Sequence, residues 1–146
     1  MRLLPRLLPL LACSLVTGLA SAQLQCSVTA AGESCGPQIS VTFTPLGNGG
    51  NYDMQMVGTG LHANAFGGFA WGASPLAVPL PGGCSILCDY IWGHYFQTDG
   101  TGAASWSRSW PHWATITVYM QMASLEVLPS GELSILTTNC SIAGCR

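Results

Sequence analysis

The sequence predicts an all-β fold: a single antiparallel β-sandwich of seven to nine strands, immunoglobulin-like or jelly-roll-like, stapled by disulfides. Three observations carry that prediction. Apolar residues recur at every second position over short runs, glycine- and proline-rich turn signals separate the runs, and six cysteines remain once an export leader is set aside.

The leader comes first. Arg2 and Arg6 precede or flank an apolar run, Leu7 to Ala20, and Ala20-Ser21-Ala22 supplies the small residues that signal peptidases cut after. Residues 1–22 therefore read as a signal peptide. Residues 23–146 read as one disulfide-stabilised domain of an oxidising compartment, periplasmic or extracellular. The apolar run is short and broken by Pro9 and Gly18, so it is a poor membrane span, and no membrane insertion is expected after cleavage. Leu10-Leu11-Ala12-Cys13 loosely fits a lipobox, but cleavage after Ala22 removes Cys13 and turns seven cysteines into an even six.

The strands follow in order. Ile39, Val41 and Phe43 alternate with Ser40, Thr42 and Thr44, the pattern of a half-buried strand. Pro45 to Gly50 turns the chain. Tyr52, Met54 and Met56 then alternate with Asp53 and Gln55, and Gly58-Thr59-Gly60 ends that run. Leu61 to Ala70 is ambiguous between strand and helix. After a turn at Pro79 to Gly83, Cys84 to Tyr90 and Trp92 to Thr98 are further strands. Asp99-Gly100 reads as a hairpin turn into Ala103 to Ser109, because Asp-Gly tolerates the positive φ of tight hairpins. Trp110-Pro111 breaks the chain before the alternation of Ile116, Val118, Met120 and Met122. Pro129-Ser130-Gly131 then leads into Glu132 to Thr138.

Cys26, Cys35, Cys84, Cys88, Cys140 and Cys145 are expected to form three disulfides. If Cys84 to Cys88 is extended, its two sulfurs share a face but stand about 13 Å apart, too far for a bond. They would then pair with the Cys26/Cys35 or Cys140/Cys145 segments; a turn would instead allow a local bond. A zinc site is disfavoured, since no Cys-x2-Cys pair exists and the compartment oxidises thiols.

Charge excludes whole classes of partner. Beyond the leader, Arg108 and Arg146 face six carboxylates, a net charge of −4, with no lysine. Nucleic-acid binding needs clustered cations, and anionic lipid surfaces are disfavoured for the same reason. A surface so poor in charge suits a protein that packs against other copies or a matrix, and polysaccharide or another extracellular protein is the expected partner.

No motif for catalysis or cofactor binding stands out, and no cofactor or metal is expected. Gly58-Thr59-Gly60-Leu61-His62-Ala63 fits a dinucleotide-loop pattern but lacks the helix and acidic residue that would complete it. His62, His94 and His112 are scattered. Asp89 and Asp99 could act as a glycosidase pair only if folding brought them to the required separation. Asn139-Cys140-Ser141 fits a glycosylation acceptor formally, though a bonded Cys140 argues against it. The aromatic residues are more suggestive. Trp71, Trp92, Trp106, Trp110 and Trp113 are joined by Tyr90, Tyr95 and Phe96. Trp106, Arg108 and Trp110 share parity along one extended segment, so they could form a ligand-binding face on which sugar rings stack. The favoured reading places these tryptophans in the sandwich core, with the binding face as the alternative.

Read in order, several pieces resemble an uncharacterised secreted β-sandwich domain widespread in environmental bacteria, found alone or at the C-terminus of larger exported proteins. They are Gly32-Glu33-Ser34-Cys35-Gly36, Tyr52 to Val57, Ala65 to Gly72 with Ser74, and Pro79 to Leu87. Thr98 to Gly102 with Ala103 to Trp106, Pro111, Val118 to Gln121 and Leu136 to Asn139 complete the set. The resemblance implies export, a β-sandwich and a Cys35–Cys84 bond, and no activity. Together these readings predict a secreted, non-catalytic domain with a binding or structural role at the cell surface or extracellular matrix. The alternatives are a carbohydrate-binding module using a tryptophan face and a small secreted hydrolase.

Overall fold

A computed structural model describes residues 26–47, 51–111 and 117–145. The expected leader, His112 and Trp113 lie outside these residues. Among them there are eleven strands and no helix. In chain order the strands are β1 (Cys26–Ala31), β2 (Gln38–Pro45), β3 (Tyr52–Thr59), β4 (Phe66–Gly72), β5 (Pro75–Pro79), β6 (Ser85–Cys88), β7 (Trp92–Gln97), β8 (Ala104–Trp110), β9 (Thr117–Val127), β10 (Leu133–Thr137) and β11 (Cys140–Cys145).

All pairing is antiparallel. A six-stranded sheet runs β1-β11-β9-β4-β7, with β10 paired to the far half of β9 beside β11. A three-stranded sheet, β2-β3-β8, faces it. The two close on Met54, Met56, Met120 and Met122, all fully buried, with Ile39, Val41, Phe69, Trp110 and Val118 around them. Unbranched methionine fills the irregular space between two sheets of unequal width without demanding one rotamer. The hairpin β5-β6 is a separate two-stranded ribbon that lies against the opposite, outer face of the six-stranded sheet.

One irregularity organises that outer face. Thr137 pairs with Ala123 but Ser141 pairs with Met120, so Thr138, Asn139 and Cys140 face only Gln121 and Met122. The extra residue is a β-bulge separating β10 from β11. Its polar groups are satisfied locally. The Met122 N–H donates to Thr138 Oγ1 (3.0 Å), the Thr138 N–H donates to the Met122 carbonyl (2.9 Å), and Asn139 Oδ1 accepts the Ile39 N–H of the facing sheet (3.1 Å). Asn139 is buried and Cys140 is bonded, so the glycosylation tripeptide is structural.

Eleven strands replace the expected seven to nine for identifiable reasons. In β1 every residue from Ser27 to Ala30 is exposed, and in β5 all five residues are, so neither alternates. Short side chains in β11 and the glycines of β4 hide their alternation. The ambiguous Leu61 to Ala70 stretch resolves into a loop followed by β4.

The Asp99-Gly100 turn is a correction. It does not close a hairpin: β7 pairs with β4 in the large sheet, and β8 pairs with β3 in the small one. Residues 98–103 instead carry the chain from sheet to sheet, braced by residues 60–65, which cross alongside in the opposite direction. Thr98 Oγ1 donates to the His62 carbonyl (2.6 Å) and accepts the Ala65 N–H (2.8 Å), and the Leu61 N–H donates to the Gly102 carbonyl (3.0 Å). Gly102 sits at φ +76°, where a side chain would also strike the Leu61 backbone.

All six expected cysteines are bonded. Cys26 joins Cys145 (Cα–Cα 4.1 Å), Cys35 joins Cys84 (5.0 Å) and Cys88 joins Cys140 (6.4 Å). Cys35–Cys84 is the pair the resemblance implied. β6 is extended, so Cys84 and Cys88 bond to different segments, and two disulfides pin the β5-β6 ribbon to the body.

Candidate functional site

Trp71, Trp92, Trp106 and Trp110 gather at one end of the sandwich, between β4, β7 and β8. Phe69 and Trp106 lie 4.8 Å apart across the sheets, Trp71 and Trp110 5.4 Å, and Trp71 and Trp92 5.6 Å. Trp106, Arg108 and Trp110 do share a face of β8, but it is the inner one. Trp110 is buried and Trp106 half-buried within the core, so they offer no flat platform to solvent. Arg108 alone of the three is well exposed, and its guanidinium carbon stands 5.4 Å from the centre of the Trp92 ring at the rim. Among the described residues, no acceptor meets the buried indole N–H groups of Trp71 and Trp110. Each such group costs about 1–3 kcal/mol, which the surrounding ring packing must outweigh.

Exposed aromatic surface lies instead on the outer face. Tyr95 is 85 % exposed and Tyr90 69 %. Tyr95 stands opposite Gly68 in the β4–β7 register, where a Cβ would meet its ring at 3.8 Å. The Tyr90 ring passes over Gly93, within 2.7 Å of where that residue's Cβ would be. The Tyr90 ring therefore lies against glycine backbone, covering a strand position that has no side chain of its own, whereas Tyr95 projects into solvent beside Gly68.

Between these rings and β6 runs a groove of about 340 Å³. Gly68, Ala70 and Ala123 make its floor, and Ile86 and Cys88 of β6 form the opposing wall. Its single amide side chain, Gln121, is fully engaged. Its Oε1 accepts the Leu87 N–H (2.8 Å), and its Nε2 donates to the carbonyls of Ser85 (2.9 Å) and Thr138 (2.8 Å). Gln121 thus holds β6 off the sheet at the width of a side chain. No Asp, Glu, Lys or Arg lines the groove.

A second polar cluster bears a superficial likeness to a nucleophile relay. His62 Nδ1 lies 3.0 Å from Ser124 Oγ, and His62 Nε2 lies 3.0 Å from Ser134 Oγ and 3.5 Å from Glu126 Oε2. In a relay the carboxylate and the nucleophile occupy opposite ring nitrogens. Here Glu126 and Ser134, cross-strand partners on β9 and β10, crowd the same one. Ser124 is fully buried and accepts the His62 backbone N–H (3.1 Å). The cluster ties the loop after β3 to the β9-β10 hairpin.

Asp89 and Asp99 are not brought together as a pair: Asp89 is bound to Ser74 across the base of the β5-β6 hairpin, and Asp99 within its own turn. Asp89 accepts the Ser74 N–H (2.9 Å) and hydroxyl (3.0 Å), and the Ser74 N–H is the main cause of its lowered pKa. Asp99 Oδ1 accepts the Thr101 hydroxyl (2.6 Å) and the N–H groups of Thr101 (2.8 Å) and Ala103 (2.9 Å). The Thr101 hydroxyl leads these in lowering the Asp99 pKa. Among the described residues no group of three or more His, Cys, Asp or Glu side chains could hold a metal ion, and no helix is long and apolar enough to cross a membrane.

Sequence reasoning noted Tyr90 and Tyr95 but assigned them no place. The floor was missed altogether, because glycine and alanine in a strand carry no binding signal. The one available clue was an aromatic residue opposite a glycine, and it needs the register to be read. No family model, curated protein or solved structure matches this chain.

Proposed function

We propose that this chain is a secreted, non-catalytic binding domain acting at the cell surface or in the extracellular matrix, with the outer-face groove as its ligand surface. The observation that supports this reading best is the pair of exposed tyrosine rings beside a floor of small residues, on a wall fixed by two disulfides. Such a surface is largely formed before the ligand arrives, which spares affinity the cost of ordering loops. Export is supported by the leader-like first 22 residues and by the bonding of all six remaining cysteines.

Calorimetric titration of the oxidised domain against solubilised extracellular-matrix fractions tests the reading, with Gly68→Val as the control. At Gly68 an added Cβ meets only ordinary contacts at 3.7 and 3.8 Å, so a side chain can start there, and the methyls of valine extend into the groove. Saturable heat that vanishes in the variant is expected. Heat that is equal in both proteins would remove the groove from the function.

A structural-subunit reading draws on β1. That strand is exposed on both faces, ends the large sheet, and carries neither charge nor proline to discourage a further strand. Sedimentation across a wide concentration range checks it: concentration-dependent assembly that Thr29→Lys abolishes would favour subunit over receptor.

A further inference from the structure

Resting on the binding-domain reading, we propose that the groove binds a neutral polysaccharide, with one pyranose ring laid by its C–H face against Tyr95 and Tyr90. Three features select this class. First, no charged side chain lines the groove, so uronic, sulfated and phosphorylated chains find no counter-charge; Arg108 is engaged with Trp92 on the far side of the sheet. Second, the hydrogen-bonding side chains beside the floor are engaged: the Gln121 amide with β6 and Thr138, and the Thr137 hydroxyl as donor to the Ser85 carbonyl (3.1 Å). Whatever faces the floor must be apolar, since polar groups placed there would lose water without compensation.

Third, the groove is open on the solvent side, where Tyr95 is 85 % exposed. A wholly apolar ligand would leave its outer half in water and gain only part of its transfer energy. A pyranose has the matching division. Its axial C–H groups carry slight positive charge and suit the negative face of an aromatic ring, while its equatorial hydroxyls stay hydrated. Gly93 beneath the Tyr90 ring serves the same end, because a ring resting on bare backbone turns its free face outward.

The test is calorimetric titration of the oxidised domain with cello-, xylo-, manno- and laminari-hexaose, alongside polygalacturonate as a charged chain and indole as an apolar ring. Saturable binding of at least one neutral hexaose is expected. Tyr95→Ala and Tyr90→Ala should each weaken it about tenfold, the order expected for a stacked ring. Tyr95→Phe should retain most of it, and Gly68→Val should abolish it. Near-ultraviolet circular dichroism confirms that each variant folds. Binding of a hexaose that ignores all four substitutions would overturn the site. Binding of only indole or polygalacturonate, sensitive to Gly68→Val, would overturn the ligand class and leave the binding-domain reading standing. Silence toward every hexaose overturns this proposal, and silence toward the matrix fractions as well overturns both.

Discussion

The two faces of the six-stranded sheet are built on different principles, although the same strands supply both. Along β9, Val118, Met120, Met122 and Ser124 point inward and are buried, while Tyr119, Gln121, Ala123 and Leu125 point outward. The inner face is closed by volume, with methionine and tryptophan filling the space up to the facing sheet. The outer face is closed by point attachments: two hydrogen bonds with the Gln121 amide, one from the Thr137 hydroxyl and two disulfides hold the β5-β6 ribbon in place. Volume filling leaves nothing open, whereas point attachment leaves a gap wherever no post stands. The groove is that gap.

The comparison breaks or sharpens under substitution. The largest effect should come from the inner face. Met122→Ala removes a fully buried side chain between the sheets, and about 2–5 kcal/mol of stability should be lost, read as a lower midpoint in urea with unchanged slope. On the outer face, Cys88→Ala with Cys140→Ala releases one post. A loss of about 2–4 kcal/mol is expected, with groove binding weakened even well below the melting temperature. Equal hydrogen-exchange protection of β6 in that variant and the parent would mean the ribbon needs no post.

Gln121→Leu is a finer probe. It strands the Leu87 N–H and two carbonyls, at about 1–3 kcal/mol. Amide exchange at Leu87 should quicken before the core does, a local opening that no inner-face substitution would produce. If Leu87 exchanges only with the core, the two faces are one cooperative unit and the distinction fails.

The smallest effect concerns the crossing that joins the two sheets. Hydrogen bonds led by the Thr101 hydroxyl hold the Asp99 pKa below its ordinary 3.8. A carboxylate depressed in the folded state contributes stability above its unfolded value, and that contribution is lost as pH falls through the folded value. Asp99 is solvent-exposed, so the effect is small. Melting temperature should therefore decline slightly less between about pH 5 and about pH 2 in Asp99→Asn than in the parent.

Strands whose side chains divide cleanly were legible in the sequence. β2, β3 and the visible part of β9 alternate because one side meets the core and the other meets water. β1 and β5 were not legible, since neither has a buried side to reveal. The Asp99-Gly100 turn shows a different limit. Its local chemistry was read correctly as a turn, but a turn does not state which sheet the next strand joins. The tryptophan face failed in the same way. Parity put Trp106, Arg108 and Trp110 on one side of β8, and only the facing sheet made that side the interior.

By itself the sequence determined that this is a disulfide-bonded, all-β chain without a charge cluster for nucleic acid. Period-two alternation, cysteine number and charge composition are properties of the chain alone. Tertiary structure decided which of two equivalent faces is buried, which cysteines meet, and where glycine lies beneath tyrosine. Each of those depends on register between strands distant in sequence, and a shift of one residue would reverse every face.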